Sequence, residues 1–439
     1  MKFPSTRALA PPASLGQALA AGLAPDGGLY VPGALPAFSP ADFDGLDELP
    51  AVAARLLQPF FDGDPLAAQL PAICREAFAV APPLRAFGAS GNYVLELFHG
   101  PTAAFKDYGA RFLAACLAAQ AEPGQTLTIL VATSGDTGAA VAAAFHRRPG
   151  FRVVILYPDG RVSPRQAHQL GCFGDNVLAL RVQGSFDDCQ RMAKAALGDA
   201  ALRAQVPLSS ANSISLGRLL PQMAYYAHAS LAHWRATGRP LSFVVPTGNL
   251  GNGLACLMAR RMGLPIADIA LASNANDVLP AFFAGGDYRP RASVATLANA
   301  MDVGAPSNYE RLAWLYPDPA ERRRAVLAGS VADAEIRGGV RDAHRRLGET
   351  LCPHTATAAV LLERLRAQGL AGDACIVATA HPAKFPEVVE PLLGTDVALP
   401  AALAAMLARP SQAEPLPADE AALATALRRG TEPGPVFLR

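Results

Sequence analysis

The chain has 439 residues, of which 51% are hydrophobic and 17% charged, and its formal net charge at pH 7 is +1. This composition excludes an intrinsically disordered protein and predicts a folded chain of two or three domains. The balanced charge gives no sign of a nucleic-acid or acidic-membrane partner, so we expect neither.

The cysteines and the apolar runs bear on the cellular compartment. The seven cysteines are odd in number, scattered and never arranged as C-x-x-C, which indicates free thiols and neither a disulfide framework nor a zinc site. His354 and His381 lack a metal-ligand spacing, so no metal is expected. The chain shows no secretory signal pattern and no apolar run long enough to span a bilayer. We therefore expect a cytoplasmic protein without membrane contact.

Residues 1–83 form the first segment of the chain. Helix-like patches at residues 14–22, 51–61 and 67–78 surround a turn that leads into a short strand at residues 24–32. Pro82-Pro83 closes the segment. We predict an N-terminal domain of residues 1–83 with a packing role, followed by a region of residues 84–439 that contains the candidate functional residues.

One lysine stands at a turn in an apolar setting. The chain has only four lysines among 38 basic residues, and Lys106 lies between a strand-like run at residues 93–98 and a helix-prone run at residues 111–119. A buried amine can lose its proton and form a Schiff base, which a guanidinium cannot do. The alternative is a structural lysine that extends from a helix start into solvent.

Beyond Lys106, short runs of Val, Ile and Leu alternate with helix-like segments. Strands are predicted at residues 126–132, 152–157, 176–182, 207–210, 241–246 and 374–379. A long helix is predicted from Leu216 to about residue 237, residues 285–348 are predicted to be irregular and helical, and the tail to contain short helices and Pro-rich loops. This alternation is typical of α/β proteins with parallel sheets, in which ligands bind at the loops after the strands.

Three of those loops combine glycine with small polar side chains. Residues 133–138 (TSGDTG) could present helix N–H groups to an anion, and ordinary helix capping is the alternative. Residues 246–253 (PTGNLGNG) suit the phosphate of a small cofactor, because they match neither common nucleotide-binding loop. Residues 210–218 (SANSISLGR) suit a second phosphate or a carboxylate, with a capping box and a surface arginine as the alternative.

Taken together, these segments resemble the threonine synthases, pyridoxal-phosphate enzymes of the tryptophan-synthase-β (fold type II) group. The resemblance runs in order through DGGLYVP, HGPTAAFKD, TSGDTG, NSI followed by GR, PTGNLGN, DVGAPSN, CPHTATA and ATAHPAKF. It implies an α/β fold with two parallel-sheet lobes and a small N-terminal domain. The smaller lobe would be inserted at about residues 113–235 of the catalytic region.

The resemblance also implies roles for individual residues. Lys106 would hold pyridoxal 5'-phosphate as a Schiff base and act in catalysis, and Thr379 would face the pyridine nitrogen. Asp136 would lie beside the ring hydroxyl, where many relatives have asparagine. The cofactor phosphate would be bound by Gly248, Asn249, Leu250, Gly251 and Asn252. The substrate carboxylate would be bound by Ser134 and Thr137, and the substrate phosphate by Asn212, Ser213 and Arg218. Departures from the family at Leu250, Ser215 and Ala305 remove no charge.

The implied reaction converts O-phospho-L-homoserine and water into L-threonine and phosphate by β,γ-elimination and β-hydration, the last step of threonine biosynthesis. Three alternatives stay open: a dehydratase or β-replacement enzyme of the same fold, a phospho-lyase for a related amine, and a cofactor-binding homologue without turnover. The second anion site speaks against the first, and intact Lys106, Asp136 and Arg218 speak against the last. A monomer and a homodimer are both compatible with the sequence.

Overall fold

The computed structural model describes residues 1–429 and contains two largely parallel β-sheets. The strands are β1 (Leu84–Ala86), β2 (Asn92–Glu96), β3 (Leu127–Ala132), β4 (Phe151–Pro158), β5 (Val177–Gln183), β6 (Leu208–Ser210), β7 (Leu241–Pro246), β8 (Ile266–Ser273), β9 (Leu327–Ser330), β10 (Asp373–Ala378) and β11 (Glu414–Pro417). The larger sheet has the order β1-β2-β10-β7-β8-β9 and the smaller sheet β11-β5-β4-β3-β6. Only the β1–β2 pair among them is antiparallel.

Helices cover the faces of both sheets. The α-helices of residues 1–429 are α1 (Leu15–Ala21), α2 (Leu49–Phe61), α3 (Leu70–Ala77), α4 (Lys106–Gln120), α5 (Asp136–Phe145), α6 (Pro164–Gly171), α7 (Phe186–Gly198), α8 (Ala200–Gln205), α9 (Leu216–Leu219), α10 (Gln222–Thr237), α11 (Gly251–Arg261), α12 (Val278–Phe283), α13 (Tyr309–Leu315), α14 (Pro319–Arg324), α15 (Asp333–Leu347), α16 (Pro353–Ala367), α17 (Pro386–Leu393), α18 (Ala401–Leu407) and α19 (Glu420–Arg428). Short 3-10 helices lie at Pro40–Phe43, Pro65–Gln69, Asn299–Met301 and Pro382–Lys384. The central strands are buried on both faces, which explains their continuous apolar sequences.

The N-terminal helices pack directly onto the helix that begins at Lys106. Phe61 of α2 meets Phe112 of α4 edge to face, with 6.1 Å between the ring centres. Phe78, which follows α3, stacks on Tyr108 of α4 at 6.2 Å. Aromatic pairs at this spacing add to the stability gained by burial. The first segment therefore shares its apolar core with α4 and holds the start of that helix in place.

The predicted α/β architecture with parallel sheets is confirmed, and the structure differs from the prediction at individual elements. The long helix expected from Leu216 is interrupted at Pro221, whose ring nitrogen cannot donate a helical hydrogen bond. Strand β9 lies where an irregular, helical stretch was expected, so that prediction was wrong there. Strand β11 lies in the Pro-rich tail; it tolerates two prolines because it is an edge strand that pairs only with β5.

The structure also bears on membranes, metals and thiols. Within residues 1–429 no helix is both long and apolar enough to cross a membrane. The same residues contain no group of three or more His, Cys, Asp or Glu side chains that could hold a metal ion. All seven cysteines are buried free thiols.

Candidate active site

A cavity of about 560 Å³ is lined by loops that follow strands of both sheets. Six residues proposed from the sequence line it: Lys106, Ser134, Thr137, Asn212, Ser213 and Asn249. The other seven, Asp136, Gly248, Leu250, Gly251, Asn252, Thr379 and Arg218, do not line the cavity. Loops that are far apart in the sequence meet here because the carboxyl ends of parallel strands share one edge of a sheet.

Lys106 is the first residue of α4 and is held from the larger sheet. The backbone N–H of Phe105 donates to the carbonyl oxygen of Thr379, directly after β10, at 2.9 Å. The Lys106 amine has no hydrogen-bond partner within residues 1–429 and faces the cavity. Burial lowers the pKa of this amine to about 8, although the nearby charge of Asp136 acts in the opposite direction. About a tenth of the amine is therefore neutral, and nucleophilic, at pH 7.

Asp136 and Lys384 form a buried ion pair beside this amine. The Lys384 Nζ lies 2.8 Å from the Asp136 Oδ1, and the two side chains are 0% and 4% exposed. Burial alone would raise the pKa of Asp136, but the charges of Lys384 and Lys106 outweigh it and hold that pKa well below its usual range. Gln166 donates a further hydrogen bond to the same oxygen at 3.0 Å. Asp136 is therefore ionised, with the positive charges of Lys384 and Lys106 close to it.

In the 133–138 loop, one residue caps the following helix and two others face the cavity. The Thr133 Oγ1 accepts from the backbone N–H groups of Gly135 and Gly138, each at 3.0 Å, and so caps the start of α5. Ser134 and Thr137 line the cavity, and their hydroxyls form no hydrogen bond with any other described residue. The capping alternative thus applies to Thr133, while the two neighbouring hydroxyls are available to a ligand.

The 246–253 loop contributes Asn249 to the cavity lining and leads into the start of α11. Leu250 precedes this helix with a left-handed backbone, φ +65°. The Asn249 side chain donates to the Ser213 Oγ at 2.6 Å and accepts from the Ser307 N–H at 2.6 Å, which ties three loops together. Asn252 accepts from two tyrosine hydroxyls, and its buried Nδ2 has no partner within residues 1–429. A helix start with an unpaired buried donor suits an anion.

We expect Gly248→Ala to destabilise this loop more than Gly251→Ala does. An added Cβ at Gly248 would lie 2.8 Å from the Met301 Cα, and backbone cannot yield as a flexible side chain does. At Gly251 the nearest atom would be 3.5 Å away, an ordinary contact. Chemical denaturation should therefore show a loss of about 1–3 kcal/mol for Gly248→Ala and a smaller loss for Gly251→Ala. Equal losses would contradict this account of the loop.

The third loop contributes Asn212 and Ser213 to the wall and holds Arg218 behind it. Arg218 is 2% exposed, and its Nη1 donates to the Ala211 carbonyl at 2.6 Å while its Nε has no partner within residues 1–429. Burial lowers the pKa of Arg218 to about 10, so the group still carries its charge at neutral pH. The buried Oδ1 of Asn212 also has no partner there. Arg218 is therefore not the surface arginine that the alternative interpretation assumed.

Comparison with known protein families and with characterised relatives identifies the family of this chain. The profile described as pyridoxal-phosphate dependent enzyme matches residues 82–380. Profiles described as threonine synthase N terminus and threonine synthase, C-terminal match residues 2–78 and 355–427. The threonine synthase of Escherichia coli (strain K12) is 41% identical over 414 residues, which are 93% of this chain and 95% of that relative. The chain belongs to the threonine synthase family.

Solved structures of threonine synthases have the same fold over nearly the whole chain. The E. coli structure matches with a TM-score of 0.90 and 39% identity, and covers 98% of this chain and 100% of its own. The pyridoxal-phosphate-bound structure from Brucella melitensis matches with a TM-score of 0.89 and 35% identity, over 99% of this chain and 100% of that one. This chain is accordingly a pyridoxal-phosphate-dependent lyase of the threonine synthase family.

The cavity fits the cofactor of the threonine synthase family at both of its ends. An aldehyde requires an amine that can lose its proton, and the unpaired Lys106 amine meets that requirement. A phosphate requires converging N–H donors; Asn249 lines the cavity just before α11, and the start of that helix with the unpaired Asn252 Nδ2 lies directly behind it. These residues would hold the two ends of the cofactor, while Thr379 is placed beside Lys106 by the Phe105 hydrogen bond.

Sequence reasoning assigned no role to several residues around the site. Lys384 was noted only within a motif, although it is one of just four lysines and that rarity was a usable signal. Gln166 links Asp136 to Asn299, and nothing in its local sequence distinguishes it from a helix-capping residue. The buried His354 accepts from the Ala300 N–H through its Nε2 at 3.1 Å, and burial lowers its pKa to about 4, so it is neutral. The rim also carries exposed Lys194, Arg203 and Arg291.

Proposed function

We propose that this enzyme converts O-phospho-L-homoserine and water into L-threonine and phosphate. The observation that carries the proposal is the unpaired Lys106 amine, which shares one cavity with unpaired hydroxyls on one side and an asparagine–serine pair on the other. An amino acid with a carboxylate at one end and a phosphate at the other requires two anion sites on either side of a proton-transfer group. The family membership supports the same reaction.

Each residue is assigned a task in this reaction. Lys106 removes the proton at Cα and delivers protons during the later steps, because its pKa near 8 suits it to both directions of transfer. Bound pyridoxal phosphate supplies an electron sink for the electron pair left at Cα. Ser134 and Thr137 orient the substrate carboxylate with their free hydroxyls. Asn212 and Ser213 bind the phosphate that leaves from Cγ, and the positive charge of Arg218 behind them stabilises it, before water adds at Cβ.

The decisive experiment measures products with O-phospho-L-homoserine as the substrate. Phosphate and L-threonine released in equal amounts would support the proposal. Phosphate together with a keto acid would instead indicate a phospho-lyase, and no phosphate would indicate a phosphate-free substrate or a protein without turnover. We also propose that the enzyme acts in the cytoplasm as a monomer or homodimer; the seven free buried thiols support a reducing compartment.

We expect Arg218→Ala to lower kcat/KM for the phosphorylated substrate by about a hundredfold, as loss of a charged donor at a developing negative charge commonly does. Steady-state phosphate release at low substrate concentration measures this effect. Arg191→Ala is the matched control, because Arg191 is exposed on α7 and pairs with Glu420 away from the cavity. Equal rates for the two variants would remove Arg218 from the substrate site.

A further inference from the structure

Two lysines compete for one buried carboxylate at the base of the site. The charges of Lys106 and Lys384 both act on Asp136. Among the described residues, Asp136 is the acid that raises the pKa of Lys106. Whichever lysine pairs with Asp136 is held in its charged form, because an adjacent carboxylate favours the protonated amine. The choice of partner therefore decides which amine can become neutral.

Lys384 is the lysine that pairs with the Asp136 carboxylate. Its Nζ lies 2.8 Å from the Asp136 Oδ1 and donates to the Thr102 carbonyl at 2.8 Å. The Lys106 amine forms no ion pair or hydrogen bond with a described residue and lies 6.0 Å from the centre of the Phe105 ring. The Lys384 side chain is fully buried, so solvent does not screen the pair. Gln166 donates to the same carboxylate oxygen and limits its freedom to turn towards Lys106.

Contacts from both sheets hold Lys384 where it is. It ends the 3-10 helix Pro382–Lys384, which follows β10 of the larger sheet. Its carbonyl oxygen accepts from the Ser163 Oγ at 3.4 Å, and the Ala383 carbonyl accepts from Arg165; both donors lie at the start of α6, beside the smaller sheet. An amine fixed from two sides is pre-organised to pair with a carboxylate on α5.

We propose that Lys384 is a positioning residue: by pairing with Asp136 it keeps that carboxylate from Lys106 and leaves the Lys106 amine free to give up its proton. The proposal rests on the proposed role of Lys106 in proton transfer. Lys384 does not line the cavity; it acts on Lys106 by occupying the Asp136 carboxylate and, to a smaller extent, by its own positive charge. The buried negative charge of Asp136 thus has its own cation within the protein.

The remaining charged groups near the pair do not replace Lys384. Arg218, from α9, lowers the pKa of Lys106 by its positive charge but forms no ion pair with Asp136 within residues 1–429. Asp107 is occupied by both the hydroxyl and the N–H of Thr102, at 2.7 and 2.9 Å. His354 and Cys352, from the start of α16, are neutral, because burial lowers the pKa of the histidine and raises that of the thiol.

The test measures the titration of Lys106 directly in the full-length protein after cofactor removal. A trace of acetic anhydride acetylates only neutral amines, so the label on the Lys106 peptide as a function of pH gives its titration midpoint. Exposed Lys2 and Lys194 are internal controls in the same sample. In Lys384→Met we expect the midpoint of Lys106 to rise by about one unit or more, which lowers its labelling at pH 7 about tenfold. An unchanged midpoint in a folded variant would overturn the proposal.

Two further variants keep the test decisive if Lys384→Met fails to fold. Asp136→Asn should lower the midpoint of Lys106, because it removes the acid that raises it. In the Asp136→Asn background, the added Lys384→Met change should shift the midpoint less than it does in the wild type, because the carboxylate through which Lys384 acts is gone. Equal shifts in the two backgrounds would mean that the two residues act independently. A purely structural role for Lys384 would lower stability without this pattern. The labelling requires no substrate, so its outcome is independent of whether the enzyme makes threonine.

Discussion

Replacing Lys106 with alanine is expected to abolish the visible absorbance of the cofactor-loaded protein and to lower its turnover at least about a thousandfold. The amine is the group in the described cavity that can form a Schiff base, since Lys194 lies exposed at the rim and Lys384 is bound to Asp136. Loss of the amine removes both the covalent attachment of the cofactor and the proton carrier at Cα. Absorbance spectra and phosphate release measure the two losses separately.

Lys194→Ala is the matched control for this prediction. Lys194 belongs to the same cavity lining but is exposed on α7, so its removal should leave the absorbance band in place. If the Lys106→Ala variant kept the band and full turnover, while Lys194→Ala lost them, the attachment site would have to be moved to the rim. Full activity in both variants would contradict Schiff-base attachment at either lysine.

The largest effect on stability is expected from Arg311→Ala. Arg311 on α13 is 1% exposed, and its guanidinium donates to the Tyr30 carbonyl twice, at 3.0 and 2.8 Å, and to the Asn308 Oδ1 at 2.9 Å. Asn308 in turn donates to the Asn249 carbonyl at 3.0 Å. The substitution leaves buried acceptors unpaired and opens a cavity, which together should lower the free energy of unfolding by about 3–5 kcal/mol.

Denaturant unfolding of the cofactor-free protein measures the loss. The control is Arg289→Ala, whose side chain is 79% exposed and pairs with Asp287, which is 71% exposed, so that its removal should cost less than about 0.5 kcal/mol. Because Arg311 connects the N-terminal segment to the loop that contains Asn249, its loss should also weaken cofactor binding. A stability equal to that of the control would mean that neighbouring groups satisfy Tyr30 and Asn308 without Arg311.

Part of the site could be predicted because its chemistry depends on local order. A strand, a glycine-containing turn and a helix start adjoin in the sequence, so the loops at 133–138 and 246–253 were placed correctly on the carboxyl ends of β3 and β7. The rarity of lysine directed attention to Lys106. Within the loops, local sequence could not assign the tasks: Thr133 caps the helix, and Ser134 and Thr137 face the cavity.

Other features depend on partners that are distant in the sequence. Strand β9 has only four residues and exists because it pairs with β8, and β11 pairs with β5 from more than two hundred residues away. Burial of Arg218 follows from packing against Gly109 on α4, where an added Cβ would lie 3.0 Å from its Nε. Such contacts leave no periodic pattern in the local sequence, so propensity and spacing cannot reveal them.

The sequence by itself determined the α/β class, the order of the chemical loops and the lysine that serves them, because each depends on residues within one strand–loop–helix unit. Only the tertiary structure decided which buried lysine is free. Lys106 and Lys384 are 278 positions apart and chemically identical, and pairing with Asp136 distinguishes them. That pairing arises where the two sheets bring α5 and the turn after β10 together, so the charge environment of Lys106 is a property of the folded chain.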